Sequence, residues 1–289
     1  MRNRIIRESA VAGTFYPDNK AELSVMIDEF LNNAELPKLD KNIRAIIVPH
    51  AGYVYSGQVA AYSYKSLTGQ DIKTIILIGN SHKEYFDGIS VYERGYFRTP
   101  LGDVEIDKDL AKKTIDANEK ITFKESAHIS EHSLEVQLPF LQKVLPASGW
   151  KIVPIIMGND SLETIDILIN ALKGLVGDNT LVIASSDLSH YPKYEDAKYS
   201  DGKVIEAILT GKREILKKAV ADLEKENIDN LQTCACGQGS IEVVMGLLGD
   251  SMNIKLLKYA NSGDVSGNKS QVVGYAAIVF TVQVFRGNK

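Results

Sequence analysis

The chain has 289 residues, 44% hydrophobic and 24% charged, and its 33 basic and 37 acidic side chains leave a formal net charge of −4. This is the balance of an ordinary globular protein with ample apolar surface to bury, and the lack of any clustered basic block excludes an electrostatic nucleic-acid binder. No apolar run reaches the length of a membrane span, MRNRIIRESAV lacks a signal-peptide core, and two cysteines alone exclude a disulfide framework, so a cytoplasmic protein without membrane contact is expected.

In chain order, the first apolar run of β character is Ile43 to Val48, followed by a loop and a helix opening near Ser56 as its N-cap. Thr74 to Ile78, bounded by Gly79 and Asn80, is the second. Ser130 and Glu131 read as the start of a helix whose apolar face is Leu134, Leu138, Leu141 and Leu145, which leaves His128 in the preceding loop. Ile152 to Met157 and Leu181 to Ala184 are two further strands. The helix between them is marked by Asp160 with Glu163 three residues on, a pattern close to a capping box. These runs are near-continuous in Ile, Val and Leu, as strands covered on both faces are, and their alternation with helical stretches predicts βαβ units. Glu206 to Asn230 reads as one charged external helix, and a shorter helix is expected from Ile241 to Leu248. Ile254 to Tyr259 and Val272 to Val284, joined by NSGDVSGNKS, read as neighbouring antiparallel strands. Residues 1–289 are therefore expected to form one α/β domain, with a central mixed but largely parallel sheet flanked by helices.

All five histidines lie in short loop-like segments, and three of those segments follow strands. His50 follows the first strand, His82 the second, and Asp187 and His190 follow the run ending at Ala184. Open α/β sheets build their sites beyond the carboxyl ends of their strands, so a metal or acid–base site is expected there. Asp187 and His190 would pair, the carboxylate fixing the imidazole tautomer, or act separately as base and ligand, or simply order a turn. Glu131 and His132 at a helix start would line a cleft or cap the helix. With His128 ahead of that helix, His128 and His132 do not make a helical metal pair. Ser185, Ser186 and Ser189 lack the glycines of a nucleophile elbow. The GQGSIE segment lacks the last glycine of a dinucleotide fingerprint. Cys236, just ahead of a predicted helix, is placed for a stabilised thiolate or for packing as a small hydrophobe. Two imidazoles and a thiolate would suit iron, copper or zinc rather than magnesium, with His190 and His132 left as acid–base groups.

AGTFYP, VPHAGYVYSG, GNSH, EHSLEVQLPF, SSDLSH, CGQGSIEV and VVGYAA occur in this order between residues 12 and 277. Together they resemble the Memo family, whose bacterial and archaeal members are called AmmeMemoRadiSam system protein B. The resemblance implies a fold similar to the class III extradiol dioxygenases and a metal held by His50, His82 and Cys236. It also implies cleft roles for Asp187 and His190, with His190 at the place of the dioxygenases' acid–base histidine and Asp187 orienting it. Those enzymes carry a carboxylate where this chain has Cys236, and a thiolate is softer and more easily oxidised, so ring cleavage does not carry over directly. The expectation is a non-haem Fe(II) or copper site, with zinc as a further option, doing redox or oxygenase-type chemistry. Its unknown small substrate would lie in a cleft flanked by Phe15, Tyr16, Tyr53 and Tyr55. The implied partners are a radical SAM protein and the companion A protein of the same system. The alternatives are a non-catalytic metal- or peptide-binding module using the same cleft, and a zinc-type metallohydrolase.

Overall fold

Strands without polar alternation need cover on both faces, and here they form the middle of an eight-stranded sheet. The computed structural model describes residues 4–39, 42–248 and 252–282. Its first half runs β1 (Ile6–Arg7), α1 (Lys20–Asn33), β2 (Ile43–Val48), α2 (Tyr53–Lys65), β3 (Thr74–Asn80), β4 (Ile89–Val91), β5 (Tyr96–Thr99), β6 (Gly102–Glu105), α3 (Lys108–Asp116), β7 (Ile121–Thr122), α4 (Ser126–Ile129) and α5 (Leu138–Val144). The second half runs β8 (Lys151–Met157), α6 (Leu162–Leu172), β9 (Thr180–Ser185), α7 (Tyr194–Leu209), α8 (Arg213–Lys225), α9 (Gln238–Leu248), β10 (Met252–Asn261), α10 (Ser262–Ser266) and β11 (Gly274–Val282).

The main sheet has the order β10-β11-β2-β9-β3-β8-β4-β7. Its centre, β2-β9-β3-β8, is parallel, while β11 runs antiparallel to β2 and β4 antiparallel to β8, so the sheet is mixed with a parallel core. Ile46, Ile47, Ile76, Leu77, Ile155, Val182 and Ile183 are fully buried. The register sets Val48 beside Ser185 and Ile78 beside Ala184, so three strands end level on one edge. That common edge positions the site. A second sheet, β1-β5-β6, carries the N-terminal segment.

Several local expectations are corrected. Helix α2 starts at Tyr53 with Gly52 as its N-cap, because the Ser56 hydroxyl donates backward to the Ala51 carbonyl at 2.8 Å and caps nothing. Helix α6 is capped by Ser161, which accepts the Thr164 N–H at 3.1 Å, while Asp160 turns away toward Asn80. The leucine face of residues 134–145 is not one helix. His128 lies within the short α4, a turn carries Glu131 and His132, and a 3-10 turn at Glu135–Gln137 leads into α5. The charged stretch 206–230 is broken into α7 and α8 at Gly211, whose φ of +72° a helix cannot continue through. The strands β10 and β11 pair antiparallel as expected, and the predicted positions 283 and 284 lie outside the described residues.

Candidate metal centre

Because β2, β9 and β3 are neighbours that end level, the residues just past them meet. His50 follows β2, Asp187 follows β9 and His82 follows β3. Cys236 is brought to the same rim by backbone: its N–H donates to the Asp187 carbonyl at 3.3 Å, and the Gly237 N–H donates to Ser186 Oγ at 2.9 Å. One ligand atom each from His50, His82 and Cys236 falls within 4.8 Å of the others. His50 is 2% exposed, whereas His82 opens to solvent, so the rim is closed on one side and accessible on the other.

The protonation of both imidazoles follows from counting donors. His50 Nδ1 lies 2.9 Å from Ser185 Oγ. That hydroxyl gives its one proton to the Ser133 carbonyl at 2.7 Å and accepts the Gln137 amide at 2.9 Å. Tyr64 OH donates to Gln137 Oε1 at 2.6 Å, which fixes the amide's orientation. Ser185 is left to accept from the ring, so His50 carries its proton on Nδ1 and presents a lone pair on Nε2. His82 Nδ1 is 2.9 Å from Glu131 Oε1, and the His82 backbone N–H donates to Oε2 at 2.7 Å. A carboxylate only accepts, so His82 carries a proton on Nδ1, and Nε2 is the ring nitrogen left for a metal. Burial pushes the Glu131 carboxyl up, but the hydrogen bonds from His82 and from the Ser133 N–H outweigh it and hold the group at about 2. Burial also keeps His50 well below its ordinary value, and therefore neutral.

Cys236 Sγ sits 3.1 Å from His50 Nε2. Since that nitrogen is a lone pair, the thiol is the donor. Burial, then the nearby Asp187 carboxylate, raises the Cys236 thiol, while an N–H from Asp187 to Sγ at 3.3 Å acts against them. Two imidazole nitrogens and one thiol whose proton a cation would displace form a donor set that fits a soft or borderline transition metal. Both rings are braced from behind, as metal-binding histidines are.

His132 completes a cluster of rings, with centroids 4.7 Å from His82, 5.3 Å from His50 and 4.8 Å from Phe15. Burial lowers it to about 4. A second grouping, His82, Glu131 and His132, also falls within 4.8 Å, but the Glu131 oxygens are already taken by three N–H groups, so this carboxylate braces the ring. His190 Nδ1 contacts the Leu188 carbonyl at 2.9 Å, which makes that nitrogen the donor.

Asp187 does not orient His190. Its Oδ1 accepts the His50 N–H at 2.7 Å, so the carboxylate ties β9 to the β2 exit. Nor do two of the four aromatic residues line the cleft as expected. Tyr16 OH donates to Glu135 at 2.5 Å and Tyr53 OH to the Val136 carbonyl at 2.6 Å, and both are 3% exposed, so their hydroxyls are committed to the protein interior. Phe15 packs on His132, and Tyr55 is exposed on the first turn of α2. Glu131 sits in the turn after α4 rather than at a helix N-terminus. His128 is buried against Tyr92 and Phe97, outside either grouping, and Cys234 is buried apart from both.

Sequence reasoning missed Ser185 as a ring support, together with Gln137, Glu135 and Arg7. The available signal was charge or amide inside an apolar run, as in LEVQLPF, where a buried polar group must have a partner. Asp160 was read only as a helix cap.

The loop bearing His190 is anchored by Asp201 of α7, which accepts the Ser189 N–H at 2.9 Å and Tyr259 OH at 2.7 Å. Burial raises this carboxyl from 3.8 to about 6. The folded state therefore holds a proton that the unfolded chain releases, and the stability this confers is present below about pH 4 and lost as pH rises through 6. Relative to Asp201→Asn, the parent is expected to lose about 3 kcal/mol between pH 4 and 7. Urea midpoints of both proteins at the two ends of that range check this, and a constant difference between them would refute it.

A family model described as Memo-like protein matches residues 7–279. A MEMO1 family protein of Nitrosopumilus maritimus is 36% identical over 283 residues, covering 96% of this chain and 100% of that protein. MEMO1 family proteins of Methanopyrus kandleri and Methanocaldococcus jannaschii are 37% and 38% identical, each aligned over 95% of this chain and 98% of their own. Among solved structures, an uncharacterized protein of Escherichia coli K12 superposes with a TM-score of 0.53 at 10% identity, over 82% of this chain and 99% of that one, a likeness of fold alone. Among the described residues no helix is long and apolar enough to cross a membrane.

Proposed function

Because the chain belongs to the Memo family, we propose that it binds Fe(II) or copper through His50, His82 and Cys236 and carries out redox chemistry on a small organic substrate. The observation that carries this reading is the convergence of one ligand atom each from His50, His82 and Cys236 within 4.8 Å, with a hydrogen-bond partner behind Nδ1 of each ring. A bound iron or copper would supply Lewis acidity and a one-electron couple. Three protein donors would leave coordination positions for a substrate, which favours turnover over simple sequestration. Around that position His132, neutral near pH 7, offers a proton acceptor, and His190, whose Nδ1–H is held by the Leu188 carbonyl, is a second acid–base group. Phe15 and the closed β2–β9 side would keep water from one face.

The test is metal content of protein purified without oxygen, beside His50→Ala, His82→Ala and Cys236→Ala, followed by oxygen uptake with catechols and simple phenols. Near-stoichiometric iron or copper in the parent, absent from each variant, is expected, with uptake by the loaded parent. Metal without uptake on any such substrate would favour the binding-module alternative. Zinc accompanied by ester or amide cleavage would favour a hydrolase. A parent that takes up none of the three metals would sink the proposal.

A further inference from the structure

The His82 strand and the Cys236 segment are not neighbours in sequence, and something must set the distance between them. Asp160, just past β8, stands between the two. Its Oδ1 accepts the side-chain amide of Asn80, the last residue of β3 and two before His82. The same carboxylate lies against the backbone of Gly239, in the first turn of α9 and three residues after Cys236. Asn80 Oδ1 in turn accepts the Ser240 hydroxyl at 2.8 Å, so a second tie runs from β3 to α9 beside the first. The approach is so close that a Cβ on Gly239 would overlap the Asp160 carboxylate. Asn80 is 8% and Ser240 0% exposed, so neither tie can be replaced by water.

The geometry points to Asp160 as a positioning residue that clamps the end of β3 to the start of α9 and thereby sets the spacing between His82 and Cys236. This rests on the metal-binding reading above. The carboxylate lies at the N-terminal end of α9, where a negative charge is also favoured by the helix. It makes no claim on the metal itself: it holds the Asn80 amide and packs on the Gly239 backbone, and the ligands are positioned through them.

Cobalt(II) provides the probe, because its thiolate charge-transfer and ligand-field bands report coordination directly. Parent, Asp160→Ala and Asp160→Asn are titrated with Co(II) without oxygen, and folding is followed by circular dichroism. In Asp160→Ala a drop in affinity of about 10- to 100-fold, the range for losing a group that supports ligands, is expected together with shifted cobalt bands. Asp160→Asn keeps an acceptor oxygen for the Asn80 amide and is expected to restore the parent spectrum and most of the affinity. Should Asp160→Ala not fold, Asp160→Ser, whose side chain is too short to reach the Asn80 amide, decides by the same two readouts. Parent-like affinity and bands in the folded variant would overturn the positioning role. A parent whose Co(II) binding does not depend on His82 and Cys236 would instead remove the metal-binding reading on which it rests.

Discussion

Replacing Glu135 by alanine is expected to lower the free energy of unfolding by about 3–5 kcal/mol, the cost of breaking a buried ion pair from one side. Glu135 is fully buried on the 3-10 turn, and its carboxylate accepts the Arg7 guanidinium, the Ala10 and Val11 N–H groups at 2.7 and 3.0 Å, and Tyr16 OH. Arg7, 4% exposed, also donates to the carbonyls of His128 and Glu131. Removing the carboxylate would leave a guanidinium, two amides and a phenol without their acceptor in a place water does not reach. Removing both charges leaves no unpaired charge in the interior, though the Ala10 and Val11 amides and Tyr16 OH still lose their acceptor, so Arg7→Met combined with Glu135→Leu is expected to be more stable than Glu135→Ala alone. Urea unfolding of the three variants measures this. A Glu135→Ala loss under about 1 kcal/mol would show that the network contributes little. Because the same guanidinium holds the Glu131 carbonyl, disturbance here should reach the site as well.

Glu131→Ala is the second large effect, with metal affinity expected to fall about 10- to 100-fold. The carboxylate fixes the His82 tautomer through Nδ1 and holds the backbone of the same residue, so its loss frees both the ring and the loop. Glu131→Gln retains one acceptor oxygen for Nδ1–H but loses the charge, and an intermediate loss is expected. Competition against a chelator of known affinity, with Cu(I) or Fe(II) as the metal, gives both numbers. Equal affinity in parent and Glu131→Ala would mean that His82 needs no support or does not bind the metal.

Much of this arrangement was legible because it depends on strands. A buried parallel strand announces itself as an unbroken run of Ile, Val and Leu, and the residue beyond its end is placed by topology alone, so His50, His82 and Asp187 could be assigned to one rim from the sequence. What was not legible depends on which of several donors a side chain chooses. Asp187 had both His190 and the His50 N–H within reach and took the latter. Ser161 displaced Asp160 as helix cap because Asp160 had partners 80 residues distant in sequence at Asn80. The Leu134–Leu145 spacing fitted one helix, yet the demands of Glu131 and Glu135 for buried partners broke it into a turn and a 3-10 segment. Helical spacing records which residues are apolar; it does not record where a buried carboxylate must go.

Among the described residues, the strand leading to His50 pairs with β9 and β11 alone, and the His50 ring meets its Ser185 support across 135 residues of chain. During synthesis, the two imidazoles therefore emerge long before the strands that would hold them, and the thiol emerges later still. A nascent chain has no half-built site with which to seize a reactive ion. On the metal-binding proposal, loading would be an event of the finished polypeptide, and such long-range pairing makes the folding that precedes it slow. A cell would then need to keep the proposed iron or copper available after translation rather than during it.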